Sequence, residues 1–158
     1  MAKETERKFL VEGDFKADAF GVTHIIQGYL SSDFERIVRV RVADDKGCLT
    51  IKGAANDTGM SRFEWEKEIT ADEARQLLEL CEPGVVDKHR FRVKNTDGRH
   101  TWEVDEFHGD NEGLVVAEIE LADENEPFDK PAWIGEEVTG DPRYFNSMLK
   151  ENPYKNWK

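Results

Sequence analysis

The sequence lacks the features of several large classes of protein. No apolar run in its 158 residues approaches the roughly 18 that a membrane-spanning helix needs. The first residues, MAKETERKF, contain no apolar segment of a secretory signal. The two cysteines, Cys48 and Cys81, fall in no spacing typical of a zinc site or a disulfide framework. These absences predict a complete, soluble protein with free thiols in the reducing cytoplasm.

Basic residues are also in short supply. The chain has 22 Lys and Arg against 34 Asp and Glu, which gives a net charge of −12. Since affinity for nucleic acids comes from clustered basic side chains, this balance argues against DNA or RNA as a partner. Hydrophobic residues make up 38% of the chain and recur at regular spacings, which argues against disorder. The length fits one domain over residues 1–158.

Alternation of apolar and polar residues is the main structural signal in the sequence. In IVRVRVA, for example, Val38 and Val40 face one way while Arg39 and Arg41 face the other. Turn-forming pairs such as Asp97-Gly98 separate the alternating segments. The pattern predicts a mainly β (α+β) protein with eight strands: 3–11, 23–31, 37–43, 48–52, 61–69, 85–94, 100–107 and 114–121.

Two helices are predicted from their end signals. A capping box at Thr70–Glu73 begins the first, which should run to Pro83. Asp141, followed by proline, should cap a second helix that continues to Asn152 and packs near an opening of the sheet. A short helix is possible within 14–20, and the acidic segment 122–137 is predicted to be a loop.

The polar faces of the strands carry like charges side by side. Arg39 neighbours Arg41 at a spacing of two, and Glu118 neighbours Glu120. Such neighbours repel unless an opposite charge lies between them. A polyanion would relieve the basic strands, and a divalent cation would relieve the acidic ones. Eight strands can close into a barrel around a small ligand, which makes these faces a lumen. The alternative is an open antiparallel sheet with one solvated face.

The first strand contains the run Glu4-Thr5-Glu6-Arg7-Lys8, which resembles the ExExK signature of the CYTH superfamily, the triphosphate tunnel metalloenzymes. The later elements of the family pattern follow in order over the strand region. These are Arg39 and Arg41, Lys52, the RxExE run Arg62, Glu64 and Glu66, the KxR run Lys88 and Arg90, Asp105, and the ExE run Glu118 and Glu120.

The resemblance implies an eight-stranded antiparallel barrel whose charged lumen forms a tunnel, with a few peripheral helices. The chain length resembles the short bacterial branch, which is associated with hydrolysis of inorganic triphosphate. The implied metal-binding residues are Glu4, Glu6, Glu118 and Glu120. The implied phosphate-binding residues are Lys8, Arg39, Arg41, Lys52, Arg62, Lys88 and Arg90. The implied supporting acidic residues are Glu64, Glu66 and Asp105.

The carboxylates favour Mg²⁺ or Mn²⁺ over zinc, because these ions prefer oxygen ligands. The expected reaction is metal-dependent hydrolysis of tripolyphosphate to pyrophosphate and phosphate. Lys8 and Tyr29, expected on adjacent strands, would orient or deprotonate the attacking water. In the alternative, Lys8 binds phosphate only and the metal activates the water.

Two other functions stay open at this point. The same fold could act on an organic triphosphate, by ATP cyclisation or by hydrolysis of thiamine or nucleoside triphosphates. It could also bind polyphosphate without catalysis. In each case the expected partner is a small polyphosphate and the expected assembly a monomer or homodimer, with no membrane or nucleic acid partner.

Trp65 and Trp102 are predicted to lie under covering elements outside the barrel, and the four histidines to be surface or core residues.

Overall fold

A computed structural model describes residues 3–157. Alternating segments of the chain form strands because each places apolar residues on one face and charged residues on the other. The strands are β1 (Lys3–Val11), β2 (Ala19–Ser31), β3 (Ile37–Ala43), β4 (Lys46–Ala55), β5 (Ser61–Thr70), β6 (Val86–Lys94), β7 (Thr101–Phe107), β8 (Val115–Glu120) and β9 (Ile134–Glu137). The α-helices are α1 (Ala71–Leu78) and α2 (Asn146–Leu149). Within residues 3–157, no helix is long and apolar enough to cross a membrane.

The first eight strands close into an antiparallel barrel, as predicted. Hydrogen bonding follows the order β5-β4-β3-β2-β6-β7-β8-β1, and β5 also pairs with β1. The closing seam is short, with register pairs Lys3↔Phe63, Glu4↔Arg62 and Thr5↔Ser61. The hydroxyl oxygens of Thr5 and Ser61 lie 2.8 Å apart there. The eight strands of the sequence prediction are therefore confirmed, most of them to within two residues at each end.

The ninth strand is a correction, because segment 122–137 was predicted to be a loop throughout. β9 pairs with β1 near Phe9 and Val11, past the point where β5 leaves that edge. The Arg7 guanidinium fixes it by donating two hydrogen bonds to Glu137, at 2.8 and 2.6 Å. A strand of four residues is too short for its alternation to stand out in the sequence.

The outer face of the barrel is covered unevenly. Helix α1 packs Ala74 against Val40 and Val42. Trp102 is fully buried in an aromatic cluster with Phe9, as predicted. Trp65 is 42% exposed, and the prediction that it lies under a covering element is wrong. The helix and the aromatic cluster cover other parts of the wall.

The lumen is apolar at one end, and the C-terminal segment closes that end. Tyr144 and Leu149 pack into one cluster with Val86, Phe107 and Val116. These three residues lie on the same strand faces as the charged lumen residues, further along β6, β7 and β8. The expectation that this segment packs at an opening of the barrel is confirmed, and the charged half of the lumen is left open.

The predicted continuous C-terminal helix is wrong. A 3-10 turn at Pro142–Tyr144 is followed by an extended Phe145 (φ −71°, ψ 131°), and α2 starts at Asn146. The break separates Tyr144 from Leu149 so that both reach the lumen cluster. Asp141 does cap the first turn, accepting a hydrogen bond from the Arg143 backbone N–H at 3.1 Å.

The start of the first helix is confirmed, but α1 ends at Leu78 and not at Pro83, because the backbone bonds of Glu79 to Cys81 tighten to the residue three positions back. Thr70 and Glu73 form the reciprocal capping box at the start of α1, with hydrogen bonds of 3.0 and 2.9 Å. Within 14–20, the possible helix is a single 3-10 turn at Lys16–Asp18. It ends there because β2 begins at Ala19 and pairs at once with β6.

Candidate active site

The charged half of the lumen contains a cavity of about 270 Å³. Every residue of the predicted site lines it except Asp105, which is buried behind two of the basic side chains. Strand alternation explains the convergence, because residues at a spacing of two share the inner face of a closed barrel. The predicted residues on the wall are Glu4, Glu6, Lys8, Tyr29, Arg39, Arg41, Lys52, Arg62, Glu64, Glu66, Lys88, Arg90, Glu118 and Glu120.

The acidic residues of β1 and β8 meet across one pairing of strands. Glu6 is the register partner of Glu120, and Lys8 is the register partner of Glu118. Burial, together with the nearby Glu118 and Glu4, raises the pKa of Glu6 well above its ordinary value. Burial alone would also raise the pKa of Glu118, but the neighbouring Lys8 and Arg90 lower it to about 2. Glu6 therefore takes up a proton much more readily than Glu118 does.

These carboxylates suit a hard divalent cation, since they offer only oxygen ligands. Within residues 3–157, no three His, Cys, Asp or Glu side chains gather closely enough to enclose a metal ion by themselves. Glu4 instead accepts from Lys52 at 3.0 Å, and Glu118 lies 3.5 Å from Arg90. Magnesium usually takes one or two carboxylates and completes its shell with waters and phosphate oxygens. The residues present fit an ion bound together with a phosphate chain.

Asp105 joins two basic residues at the inner end of the cavity. Its carboxylate accepts from Lys88 Nζ at 2.7 Å and from Arg90 Nε and Nη2 at 2.7 and 2.9 Å. Burial opposes its charge, but Arg90 and Lys88 hold the pKa of Asp105 well below its ordinary range. Burial lowers the pKa of Lys88 to about 7. Asp105 therefore orients these cations from behind.

Two further cations are paired with carboxylates nearer the open end. Lys52 lies 3.7 Å from Glu64, in addition to its contact with Glu4. Arg39 donates to Thr50 at 3.1 Å and lies 3.7 Å from Glu66. Glu64 and Glu66 thus hold basic side chains in place, which is the supporting position given to them in the sequence.

Arg41 differs from these cations because no carboxylate within residues 3–157 lies within 4 Å of its guanidinium nitrogens. Its Nε donates to the Gln27 side-chain oxygen at 2.9 Å. Burial, with the like charges of Arg39 and Arg90, lowers the pKa of Arg41 to about 9. The guanidinium is half-buried beside two like charges, and the more distant Asp105 offsets their repulsion only in part. Arg41 therefore favours an anion in the cavity.

Arg62 has a mixed environment. Its Nε and Nη2 donate to the Gly53 carbonyl oxygen at 3.1 and 2.9 Å, so part of the guanidinium is committed to the backbone. Burial lowers its pKa from the ordinary value. The side chain still lines the cavity at the barrel seam, where Arg62 is the register partner of Glu4.

Lys8 and Tyr29 line the same cavity, but the prediction that they lie on adjacent strands is wrong. In the closed barrel β1 pairs with β5, β8 and β9, whereas β2 pairs with β3 and β6. The two side chains face one another across the lumen. Burial raises the pKa of Tyr29, although nearby Arg39 opposes the shift. The Lys8 ammonium lies 5.5 Å from the centre of the Phe145 ring.

Several lumen residues were missed in the sequence. Gln27 is fully buried and contacts both Arg41 and the side chain of Asn146. The sequence could have indicated Gln27, because it is a polar residue two positions before Tyr29 in an otherwise apolar strand and so shares the face of Tyr29. Asn146 carried no signal, since the fold of the C-terminal segment decides whether its side chain enters the barrel.

The histidines lie outside the cavity, as expected of surface or core residues. His24 and His89 stack on the outer face of β2 and β6, with ring centres 4.6 Å apart. His89 Nδ1 lies 2.6 Å from His108 Nε2, a contact that no sequence spacing indicated. His100 is buried between Asp97 and Glu126.

Comparison with known proteins agrees with this arrangement. A model of the CYTH domain family matches residues 2–145. The inorganic triphosphatase of Acetivibrio thermocellus is 58% identical over 160 residues, which cover 100% of this chain and 99% of that protein. The inorganic triphosphatase of Nitrosomonas europaea is 35% identical over 92% of this chain and 95% of its own. A crystal structure of an inorganic triphosphatase, 32% identical, superposes with a TM-score of 0.67 and covers 93% of this chain and 97% of that one.

Proposed function

The chain belongs to the CYTH family, and from this premise we propose that it hydrolyses inorganic triphosphate to pyrophosphate and phosphate. Enzymes of this family depend on a metal ion. The observation that carries the proposal is Arg41, a half-buried cation on the cavity wall that donates to a neutral amide and has no carboxylate within 4 Å of its guanidinium among residues 3–157. Together with Lys8 and Arg39, which line the same cavity, it favours a compact polyanion.

The chemistry needs little from the protein beyond position and charge. Water attacks a terminal phosphorus, the bond from that phosphorus to the bridging oxygen breaks, and the water gives up a proton. Basic side chains that surround the phosphate chain align it and stabilise the charge that moves to the leaving oxygen. Lys8, Arg39, Arg41, Lys52, Arg62, Lys88 and Arg90 are the proposed phosphate ligands.

Glu4, Glu6, Glu118 and Glu120 are the proposed metal ligands, with Mg²⁺ or Mn²⁺ as the ion. A bound Mg²⁺ or Mn²⁺ ion would neutralise negative charge on the phosphate oxygens of the substrate. Its positive charge would also offset the repulsion between Glu6 and Glu118, which contributes to the raised pKa of Glu6. The sequence features of a reducing compartment, two free thiols at Cys48 and Cys81, support a cytoplasmic location.

Lys8 and Tyr29 are the proposed residues that handle the attacking water. Tyr29 Oη accepts a hydrogen bond from Gln27 Nε2 at 3.3 Å, so its own O–H is available to a water. Since burial raises its pKa, Tyr29 donates a hydrogen bond rather than accepting the proton. The Tyr29→Phe variant should lose about 100-fold in kcat. Full turnover in that variant would rule out a role for the hydroxyl.

Phosphate release from a panel of substrates tests the proposed function. The purified protein is mixed with tripolyphosphate, pyrophosphate, ATP or thiamine triphosphate, each with Mg²⁺, Mn²⁺ or EDTA. We expect release to be fastest from tripolyphosphate and absent in EDTA. Glu6→Gln should abolish it, since the variant removes a carboxylate from the lumen.

Glu106→Gln is the matched control. Glu106 lies on the same barrel but on its outer face, where it contacts Lys16 at 2.7 Å, and its loss should leave the rate unchanged. Release from an organic triphosphate alone would move the substrate to that class. Binding of tripolyphosphate with no release under either metal would leave a polyphosphate-binding protein and overturn the enzymatic proposal.

A further inference from the structure

A chain of side-chain amides crosses the closed end of the cavity and joins two of its cations. Arg41 Nε donates to the Gln27 oxygen at 2.9 Å. Gln27 Nε2 donates to the Asn146 oxygen at 3.1 Å, and Lys88 Nζ donates to that same oxygen at 2.8 Å. The C-terminal segment thus contacts the inner wall of the barrel through one polar side chain.

The orientation of both amides follows from their partners. Arginine and lysine can only donate, so the groups facing Arg41 and Lys88 must be the oxygens of Gln27 and Asn146. The Gln27 nitrogen is left to face Asn146. Neither amide can flip without placing a donor against a donor, which would leave buried polar groups unsatisfied. Gln27 is 0% exposed and Lys88 only 1%, so a bond lost at either of these side chains is costly, whereas Arg41 and Asn146 are half-buried.

The ammonium of Lys88 has three N–H groups. Asp105 accepts one at 2.7 Å and Asn146 accepts a second. The third has no acceptor among the described residues, and Lys88 lines the cavity. Two fixed acceptors therefore determine where the third N–H points. Asn146 supplies one of them without adding negative charge next to a phosphate.

The backbone holds Asn146 in this place. It directly follows the extended Phe145, and apolar anchors flank it on both sides, Tyr144 before it and Leu149 after it. Both anchors are buried in the apolar end of the lumen. The side chain of Asn146 therefore enters the barrel at a fixed depth, at the boundary between the apolar and charged halves.

We infer that Asn146 is a positioning residue for the substrate: through Lys88 directly and through Gln27 to Arg41, it aims two cations at the phosphoryl group that lies deepest in the cavity. The inference rests on the proposed function. It assigns to the C-terminal segment a part in binding, in addition to closing the barrel. Asn146 acts through its two neighbours and need not contact the reacting atoms.

Kinetics of two variants test this role. Asn146→Ala removes the acceptor, and KM for tripolyphosphate should rise on the order of tenfold with a smaller change in kcat. Asn146→Asp keeps the shape but places a carboxylate beside the phosphate site, and KM should rise further. Asn152→Ala is the matched control, because Asn152 is an exposed asparagine of the same segment and its loss should leave KM unchanged.

Titration of Lys88 supplies a readout that damage to the fold would not mimic. The charged groups acting on Lys88 are Asp105 from β7, Arg90 from its own strand, Arg41 from β3 and Glu118 from β8. An acceptor favours the ammonium form, so Asn146→Ala should lower the pKa of Lys88 and Asn146→Asp should raise it. NMR of isotopically labelled lysine, without substrate, measures both shifts.

The outcomes separate the inference from the function it rests on. Shifts of Lys88 in opposite directions, with the expected rise in KM, support the inference. An unchanged KM and an unchanged Lys88 titration in both variants overturn it, even if the wild-type protein releases phosphate. If the wild-type protein releases none, the proposed function fails, and an unchanged Lys88 titration would then show that the contact itself has no effect.

Discussion

Single charged residues in this protein differ mainly in whether the protein itself supplies their counter-charge. Lys88 and Arg90 have Asp105, and Lys52 has Glu4. Arg41 has a neutral amide instead. A cation that is paired with a carboxylate is oriented by the fold. A cation that has only a neutral partner, such as Arg41, is stabilised when an anion binds. This distinction leads to a prediction in which activity and stability respond differently.

Replacing Arg41 by glutamine should lower kcat/KM by about 100-fold or more, because it removes a proposed cationic donor to the phosphate chain. The urea midpoint of unfolding should not fall, since the variant also removes a half-buried cation that is repelled by Arg39 and Arg90. Steady-state kinetics and urea unfolding measure the two effects. Arg92→Gln, on the same strand as Arg90 but hydrogen-bonded to Thr23, should retain activity. Loss of activity that merely follows a loss of stability would contradict the assignment.

His100 predicts a pH-dependent stability. Burial alone would lower its pKa, but hydrogen bonds to Asp97 and Glu126 outweigh burial and raise it above 6.5. Its contribution is therefore complete below pH 6.5 and is lost as pH rises through the raised value. The pKa of Asp97 and that of Glu126 are lowered, so their contributions are complete above about pH 4.5 and lost in acid.

The difference in unfolding free energy between the wild-type protein and His100→Gln should therefore be largest between about pH 4.5 and 6.5. It should shrink at pH 9, where the imidazole is neutral in both folded and unfolded chains. Urea unfolding across this range measures it. A difference that is independent of pH would mean that His100 contributes by packing against Phe128 rather than by charge.

At the scale of elements, α1 stabilises the barrel from outside. Its capping box satisfies the backbone N–H of Glu73 with the Thr70 hydroxyl. Thr70→Ala should cost about 1 kcal/mol in unfolding free energy. Activity should be unchanged at a temperature where the variant is folded, because α1 contacts the outer faces of β3 and β4. A fall in kcat in a fully folded variant would indicate that the helix transmits strain to the lumen.

Which elements could be predicted depended on whether the signal was local. Eight strands alternate over five residues or more, and the spacing of two also placed the site residues on one face. β9 could not be found, because its four residues are ordered by the Arg7–Glu137 contact from the far end of the chain. The break at Phe145 also depends on distant contacts, since the lumen decides where Tyr144 and Leu149 are buried.

The same limit applies within the site. Strand parity indicated which strand faces form a charged lumen, and the resemblance to the family pattern selected the side chains that line the cavity. The neighbours of each strand in the closed barrel could not be read from parity, so Lys8 and Tyr29 were assigned to adjacent strands although the lumen lies between them. The position of Asn146 in the lumen could not be predicted, because it belongs to no strand and strand alternation says nothing about it.

For the whole molecule, the β1–β5 seam that closes the eight-stranded barrel is the strand pairing in its wall with the least hydrogen bonding to hold it. β1 and β5 share three register pairs, compared with eight between β2 and β6. Amide hydrogens at the seam, such as that of Glu6 bonded to the Met60 carbonyl, should exchange faster than those of β2 and β6. Metal and tripolyphosphate should slow exchange at the seam, because Glu4 and Arg62 lie there. Uniform protection around the barrel, measured by hydrogen exchange, would contradict this.

The seam also constrains how the protein is made. β1 is synthesised before its partners β5, β8 and β9, which end at Thr70, Glu120 and Glu137. At ordinary rates of synthesis, β1 waits on the order of ten seconds for its last partners. An unpaired apolar strand is prone to aggregate during such a delay, and interspersed charges oppose aggregation. In β1 those charges are Glu4, Glu6 and Lys8, the same side chains that line the lumen once the barrel has closed. A chain that ends before β8 lacks Glu118 and Glu120, and with them part of the site.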